Sequence, residues 1–269
     1  MSERLPTLFV SHGAPTLALD HAGCRGSHGD LATALAGFAQ ATRPPKAVLI
    51  VSAHWGTSMT MLTGSAAPST IHDFAGFDPS LSSTDYPARG SSALAVQVHG
   101  LLGAAGIEAG IDLGRGLDHG AWVPLLHLYP GAEVPVVQMS LQTAAGATGQ
   151  HAIGRALSSL PDEGVLVIGS GGITHNLRAA DTSGSDAAEA PWARAFADWI
   201  GTCLDARDTE ALLDWRARGP DAERNHPTAE HLMPLFLALG AAGEAWTARR
   251  LYRGAIMGTV ALDTWAFDG

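Results

Sequence analysis

Three apolar runs in this chain end in the same way. Thr7-Leu8-Phe9-Val10-Ser11 is followed by His12, and Val48-Leu49-Ile50-Val51-Ser52-Ala53 by His54. Val165-Leu166-Val167-Ile168-Gly169-Ser170 is followed by a glycine turn and then His175. Apolar runs of this length read as strands buried on both faces, and in open α/β sheets the chemistry sits just past the carboxyl ends of such strands. One histidine at a strand end is more often a hydrogen-bonded structural residue. Repetition changes the weight: parallel strands ending at a common edge would gather imidazoles from distant parts of the sequence into one cleft, as a metal site requires.

Two further histidines stand where helices begin. In Leu117-Asp118-His119-Gly120-Ala121-Trp122 a loop enters a helix with Asp118 as N-cap, which puts His119 near the positive end of that helix and favours its neutral form. In Pro227-Thr228-Ala229-Glu230-His231-Leu232 the spacing predicts a helix capped by Thr228, with Leu232, Leu235, Phe236 and Leu239 as its buried stripe and His231 bordering that stripe in the first turn. Glu230 points about 100° away from His231, and spacing alone does not choose between them as a ligand. Imidazoles without cysteine or a carboxylate triplet suit Zn, Fe(II), Cu or Mn. Three protein ligands leave positions open, so such a site is catalytic in character; zinc would imply an activated water and hydrolysis, iron(II) O2 chemistry.

The elements that must position these residues follow from the rest of the pattern. A chain of 269 residues with 46% hydrophobic and 16% charged residues has an ordinary globular balance, and one α/β domain spanning residues 1–269, with a central mixed sheet flanked by helices and the metal site at the strand ends, is the expected architecture. Helices are predicted over 31–41, 91–102, 149–160, 191–204 and 209–217, and strands over 107–113, 134–141, 245–252 and 259–267. His21 and His28, in a glycine-rich loop, are read as solvated, and His127, on an apolar helix face, as core. The stretch 65–92 has no long apolar run, and a loop of that length is usually functional; its aromatics Phe74, Phe77 and Tyr86 could line an apolar slot over a pocket.

The net charge of -10 argues against a nucleic-acid backbone or an anionic membrane surface as partner. No apolar run approaches the roughly 18 residues of a membrane-spanning helix. The chain enters its first strand at once, without a secretory signal, and Cys24 and Cys203 form no disulfide or metal spacing, so a cytoplasmic, reduced protein is expected.

Seven runs, in order from residue 8 to residue 240, carry a more specific resemblance: Phe9-Val-Ser-His-Gly-Ala-Pro, Val51-Ser-Ala-His-Trp, Thr70-Ile-His-Asp-Phe-Ala-Gly-Phe, Leu117-Asp-His-Gly-Ala-Trp, Pro135-Val-Val-Gln-Met-Ser-Leu, Thr174-His-Asn-Leu and Pro227-Thr-Ala-Glu-His-Leu-Met-Pro-Leu. Together they resemble the 4,5-DOPA extradiol dioxygenase family, within the class III extradiol ring-cleavage dioxygenases that include protocatechuate 4,5-dioxygenase. The resemblance implies a non-haem metal held by His12 and His54. The third ligand of protocatechuate-type relatives is a glutamate nine residues before a glycine, and counting back from Gly240 reaches His231, so the resemblance implies an all-histidine site here. It further implies His175 as the acid/base group, counted as a fourth ligand when zinc occupies the site, and His119 as a second active-site histidine. His72 and Tyr86 are expected to help bind substrate. The implied reaction is ring cleavage of a small catechol by O2, with Fe(II) for activity and Zn(II) able to occupy the same site. A zinc hydrolase and a non-enzymatic metal-binding relative are the alternatives.

Overall fold

Strand residues that are apolar on both faces of the pleat need cover on both sides, and the strands of this protein receive it from two sets of helices. The computed structural model describes residues 4–20, 23, 26–181 and 187–269. In chain order the elements are β1 (Thr7–Ser11), α1 (Ser27–Ala41), β2 (Ala47–Thr57), β3 (Thr60–Thr63), α2 (Ser92–Ala104), β4 (Ala109–Asp112), α3 (His119–Leu128), β5 (Val136–Gln142), α4 (Gly146–Ala156) and β6 (Val165–Gly171). They continue with α5 (Pro191–Ala206), α6 (Thr209–Leu213), α7 (Trp215–Arg218), α8 (Ala222–Asn225), α9 (Met233–Ala242), β7 (Thr247–Tyr252), β8 (Ala255–Ile256), β9 (Val260–Ala261) and β10 (Thr264–Asp268).

Among the described residues, eight strands form one mixed sheet in the order β4-β3-β5-β2-β6-β1-β10-β7. Its centre, β5-β2-β6-β1, is parallel, and β10 and β7 close one side antiparallel. Alternation along the central strands divides the core in two. Phe9, Leu49, Val51, Val137, Met139, Val165 and Val167 face α2, α4, α5 and α9. Leu8, Val10, Val48, Ile50, Leu166 and Ile168 face α1 and α3. The α/β architecture expected from the sequence is therefore present, with β1, β2 and β6 ending at the same edge. No described helix is long and apolar enough to cross a membrane.

Several boundaries differ from the sequence expectation. β2 does not stop at His54 but runs to Thr57; its pairing with β5 lapses after Val51↔Met139 and resumes at Gly56↔Leu141, so His54 sits in the irregularity. Helix α9 begins at Met233 rather than after Thr228, with Pro234 at its start, so His231 lies in the turn before the helix. Thr228 spends its hydroxyl on Glu230 Oε1 (2.9 Å) instead of capping. The predicted helix over 209–217 breaks at Asp214 into α6 and α7, and the predicted strand over 259–267 divides into β9 and β10. His28 is not solvated: it is buried in α1 with Nδ1 3.3 Å from Asp20 and its ring packed against Gly13 just past β1. His21 lies outside the described residues. His127 is core as expected, its Nε2 2.9 Å from the Leu17 carbonyl. Cys203 is buried and free.

The helix pair α4 and α9 crosses at two glycines. A Cβ on Gly154 would stand 2.1 Å from the Leu237 carbonyl oxygen, and one on Gly240 would stand 2.2 Å from that of His151. Backbone atoms cannot give way as side-chain tips do, so the crossing holds only with glycine on both sides. This contact fixes the height of α9 on the sheet and with it the turn carrying His231.

Two predictions come from this frame. Gly240→Ala should destabilise the protein by about 2 kcal/mol despite alanine's better helix propensity, lowering the thermal midpoint by about 4–8 °C, whereas Gly100→Ala on the open face of α2 should not lower it. The second concerns Asp263, whose carboxyl burial pushes up to about 7 even though Arg250 and Arg253 pull the other way. The folded state then holds a proton that the unfolded chain releases near pH 4, so this group costs stability as pH rises from about 4 to about 7. Asp263→Asn should accordingly stabilise the protein in denaturant titrations at pH 8 and make no difference near pH 4.

Candidate metal centre and active site

The three strand ends deliver their histidines to one place. His12 follows β1 directly, its backbone N–H donating to the Gly171 carbonyl at 3.0 Å, which ties it to the end of β6. His54 continues the pleat face of Val48, Ile50 and Ser52. His231 arrives from the opposite side of the sheet, and its carbonyl accepts the Gly172 N–H at 2.8 Å. Approach is again made possible by a missing side chain, since a Cβ on Gly171 would meet the His231 carbonyl oxygen at 2.0 Å. The result is a cluster in which Nε2 of His12 and Nε2 of His54 are 3.0 Å apart, with ligand atoms of His12, His54 and His231 all within 4.8 Å of one another.

The partners of the outer ring nitrogens determine where the lone pairs point. Ser170 donates its one hydroxyl proton to the Gly120 carbonyl (2.5 Å), so its oxygen must accept from His12 Nδ1 (2.9 Å). His12 therefore carries its proton on Nδ1 and a lone pair on Nε2. His231 Nδ1 faces a carboxylate, Glu230 Oε1 at 3.1 Å, and is likewise the donor. Its Nε2 is buried and has no hydrogen-bond partner among the described residues. A buried orphan lone pair beside two more imidazole nitrogens is an arrangement that a bound cation would complete. Protonation does not offer an alternative, because burial and the neighbouring histidines hold His12 and His231 well below the ordinary imidazole range. Burial, with His119 nearby, lowers His54 to about 3, although Asp73 opposes the shift. Neutral imidazoles converging in this way fit a divalent metal ion.

His119 and His175 flank this cluster. The ring of His119 lies 3.9 Å from that of His54, centroid to centroid. Asp118 occupies the N-cap position of α3 but turns its carboxylate to Gln138 and Arg115, and makes no capping bond. The cap comes instead from Asp73 in the long loop: its Oδ1 accepts the His119 backbone N–H (3.0 Å) and the His119 Nδ1 proton (2.8 Å). Burial works against ionisation of Asp73, yet these bonds to His119 hold its carboxyl down to about 2. His175 stacks face to face on His231, with centroids 3.4 Å apart and planes 7° from parallel. Burial lowers its pKa, so it too favours the neutral form. Gly120 lets α3 come this close, for a Cβ there would meet Ser52 Oγ at 2.3 Å and His54 Cδ2 at 3.0 Å.

A cavity of about 650 Å³ opens over His12, His54, His119 and His175. Phe74 and Phe77 from the long loop line it, as the expected apolar slot requires. The other two loop residues expected at the substrate do not. Tyr86 is buried beneath the loop, its hydroxyl donating to the Tyr129 carbonyl at 2.9 Å. His72 turns its Nε2 to the Thr84 carbonyl (2.8 Å) and lines a separate surface cleft. Both are spent on holding the loop down, Tyr86 through a backbone carbonyl and His72 across the loop's own neck. Sequence reasoning did not single out Asp73, Ser170 or Gly120. The one available signal for Asp73 was its place beside His72 in the Thr70–Phe77 run.

Residues 6–262 match the family described as the catalytic LigB subunit of aromatic ring-opening dioxygenase. The chain is 39% identical to a 4,5-DOPA dioxygenase extradiol of Beta vulgaris, over 88% of this chain and 87% of that protein. It is 36% identical to a protein of the same name from Escherichia coli K12, over 89% and 86% of the two chains. The crystal structure of an uncharacterised Escherichia coli K12 protein superposes with a TM-score of 0.81 at 29% identity, covering 98% of this chain and 99% of that one. With nearly the whole length matched and the histidines gathered at one sheet edge, the chain belongs to the family of catalytic LigB subunits of aromatic ring-opening dioxygenases.

Proposed function

We propose that this extradiol ring-cleaving dioxygenase holds one Fe(II) ion on His12, His54 and His231 and opens the ring of a small catechol with O2. The observation that carries the reading is the orphaned, buried Nε2 of His231 beside the 3.0 Å pair of His12 and His54 nitrogens. Iron held there would supply a Lewis acid and a path for electrons between the catechol and O2. Zn(II) suits the same three imidazoles and can take the place of iron. A zinc hydrolase is disfavoured by membership of a ring-opening family, and a non-enzymatic role by the completeness of the five-histidine constellation.

The protein's own residues then have separable tasks. Ser170 and Glu230 fix the ring orientations of His12 and His231 through their Nδ1 protons. His175 is the proton shuttle. A lone pair lies in the plane of its ring, and two parallel rings 3.4 Å apart share no in-plane point, so His175 and His231 do not aim at one ion in this arrangement. His175 is thus left to take a proton from a catechol hydroxyl and return it as the ring opens. His119, held by Asp73, presents Nε2 to the same cavity and orients the substrate or O2. Overall the carbon–carbon bond beside the diol breaks, both atoms of O2 enter the product, and a ring-opened semialdehyde carboxylate results with no other reductant consumed.

Reconstitution with Fe(II) under anaerobic conditions, followed by a catechol and O2, should give oxygen uptake and a yellow ring-opened product; hydrolysis of esters or amides by the zinc form without oxygen uptake would sink the proposal. His231→Ala should lose the metal, read by elemental analysis of the purified protein. His175→Ala should retain it while turnover falls by about 10²–10⁴-fold, and an emptied site in that variant would make His175 a ligand instead.

A further inference from the structure

The cavity over the histidines is divided in its chemistry. Its floor is imidazole, whereas its walls and mouth are built from Phe74, Phe77, Leu177, Ile256, Met257 and Val260. No Lys, Arg, Asp or Glu stands among the described lining residues. Two of the wall residues are large apolar side chains left in water, Leu177 at 57% and Phe77 at 39% exposure, and both line the same cavity. Apolar side chains exposed singly need no explanation, but a pair at the rim of the site's own pocket marks a surface that gains from being covered.

The charges that lie nearest the floor are carboxylates. Asp73 is bonded to His119, and Glu230 to His231. Arg178 follows Leu177 in the short turn Leu177–Ala179 but does not line the cavity, and Arg253 is paired with Asp198. A catechol must turn its two hydroxyls to the histidines, so any substituent on the far side of the ring projects towards the apolar mouth. A carboxylate or ammonium placed against these walls would gain no charged partner among the described lining residues, whereas an alkyl chain would bury apolar surface there.

We infer that the preferred substrate is a catechol whose ring substituent is uncharged and apolar, several carbons long, rather than one bearing a carboxylate or an amino-acid group. The inference rests on the ring-cleavage reading above and adds the substrate class to it. Leu177, Phe77 and Met257 are the residues assigned to the substituent.

The test is oxygen uptake by the iron-loaded enzyme with 4-methyl-, 4-ethyl-, 4-propyl- and 4-butylcatechol, against 3,4-dihydroxyphenylalanine, 3,4-dihydroxyphenylacetate and dopamine. Specificity, kcat/KM, should rise roughly fourfold per added methylene over the first members of the alkyl series. It should be at least about tenfold lower for the three charged catechols than for 4-butylcatechol, and anaerobic calorimetry should rank their binding in the same order. Leu177→Arg, at an exposed position, should narrow or reverse the gap between 4-butylcatechol and 3,4-dihydroxyphenylacetate. Val96→Arg, on the exposed face of α2 away from the cavity, should leave the ranking unchanged. A charged catechol preferred over the alkyl series overturns the inference, as does a flat alkyl series; loss of that preference in Arg178→Ala would then identify Arg178 as the group that was misjudged. No uptake with any catechol would instead overturn the ring-cleavage reading itself, and this inference with it.

Discussion

Everything in this protein turns on keeping three neutral imidazoles together at the floor of one cavity. With His12 protonated on Nδ1, its Nε2 lone pair at 3.0 Å from His54 Nε2 needs either the N–H of a neutral His54 or a bound cation between them, while desolvation keeps the rings from becoming charged. The fold absorbs that cost by bonding the outer nitrogens of His12 and His231 and by setting a carboxylate near that of His54. Ser170 at the end of β6 serves His12, Glu230 serves His231 from the adjacent position in the chain, and Asp73 serves His119 while standing 3.9 Å from His54 Nδ1. These anchors come from three separate parts of the chain, so the cluster forms only once the sheet, the long loop and the α9 turn are all in place.

Close approach is the second requirement, and it is met by leaving side chains out. Gly171 admits the carbonyl of His231, Gly120 admits Ser52 and His54, and the Gly154–Gly240 crossing sets how deeply α9 beds against β6. Each of these glycines lies in or beside a regular element, where glycine is otherwise a poor choice. Their positions are dictated by what must come near them, and the chemistry at the sheet edge accounts for two of the four, Gly171 and Gly120, directly.

The parts of this structure that could be read in the sequence are those with a local signature. The strands that lead to His12, His54 and His175 announce themselves by apolar runs buried on both faces, and the sheet and its working edge follow from them. His231 was distinguishable from Glu230 only through the resemblance to a known family, because two adjacent residues at the start of a presumed helix differ by a rotation that spacing does not fix. The helix in fact starts at Met233, held back by Pro234 and by the tie of the His231 carbonyl to Gly172, and no local pattern records a tertiary bond of that kind. Tyr86 and His72 were misjudged for the same reason. An aromatic or a histidine in a long loop looks available for substrate, and only the folded loop shows that the Tyr129 and Thr84 carbonyls already claim them.

That loop also explains why the site is polar below and apolar above. Between Ile71 and Phe77 the chain crosses the mouth of the cavity. Its Asp73 points down to cap α3 and bond His119, while Phe74 and Phe77 form the wall above. Phe74 also packs edge-on against the His119 ring, with centroids 5.7 Å apart. One short segment therefore sets the orientation of an active-site imidazole and the character of the opening. A change in the loop that altered the wall would also move Asp73, so substrate preference and the placement of His119 are mechanically coupled, whereas the opposite wall at Leu177 and Met257 can vary without disturbing either.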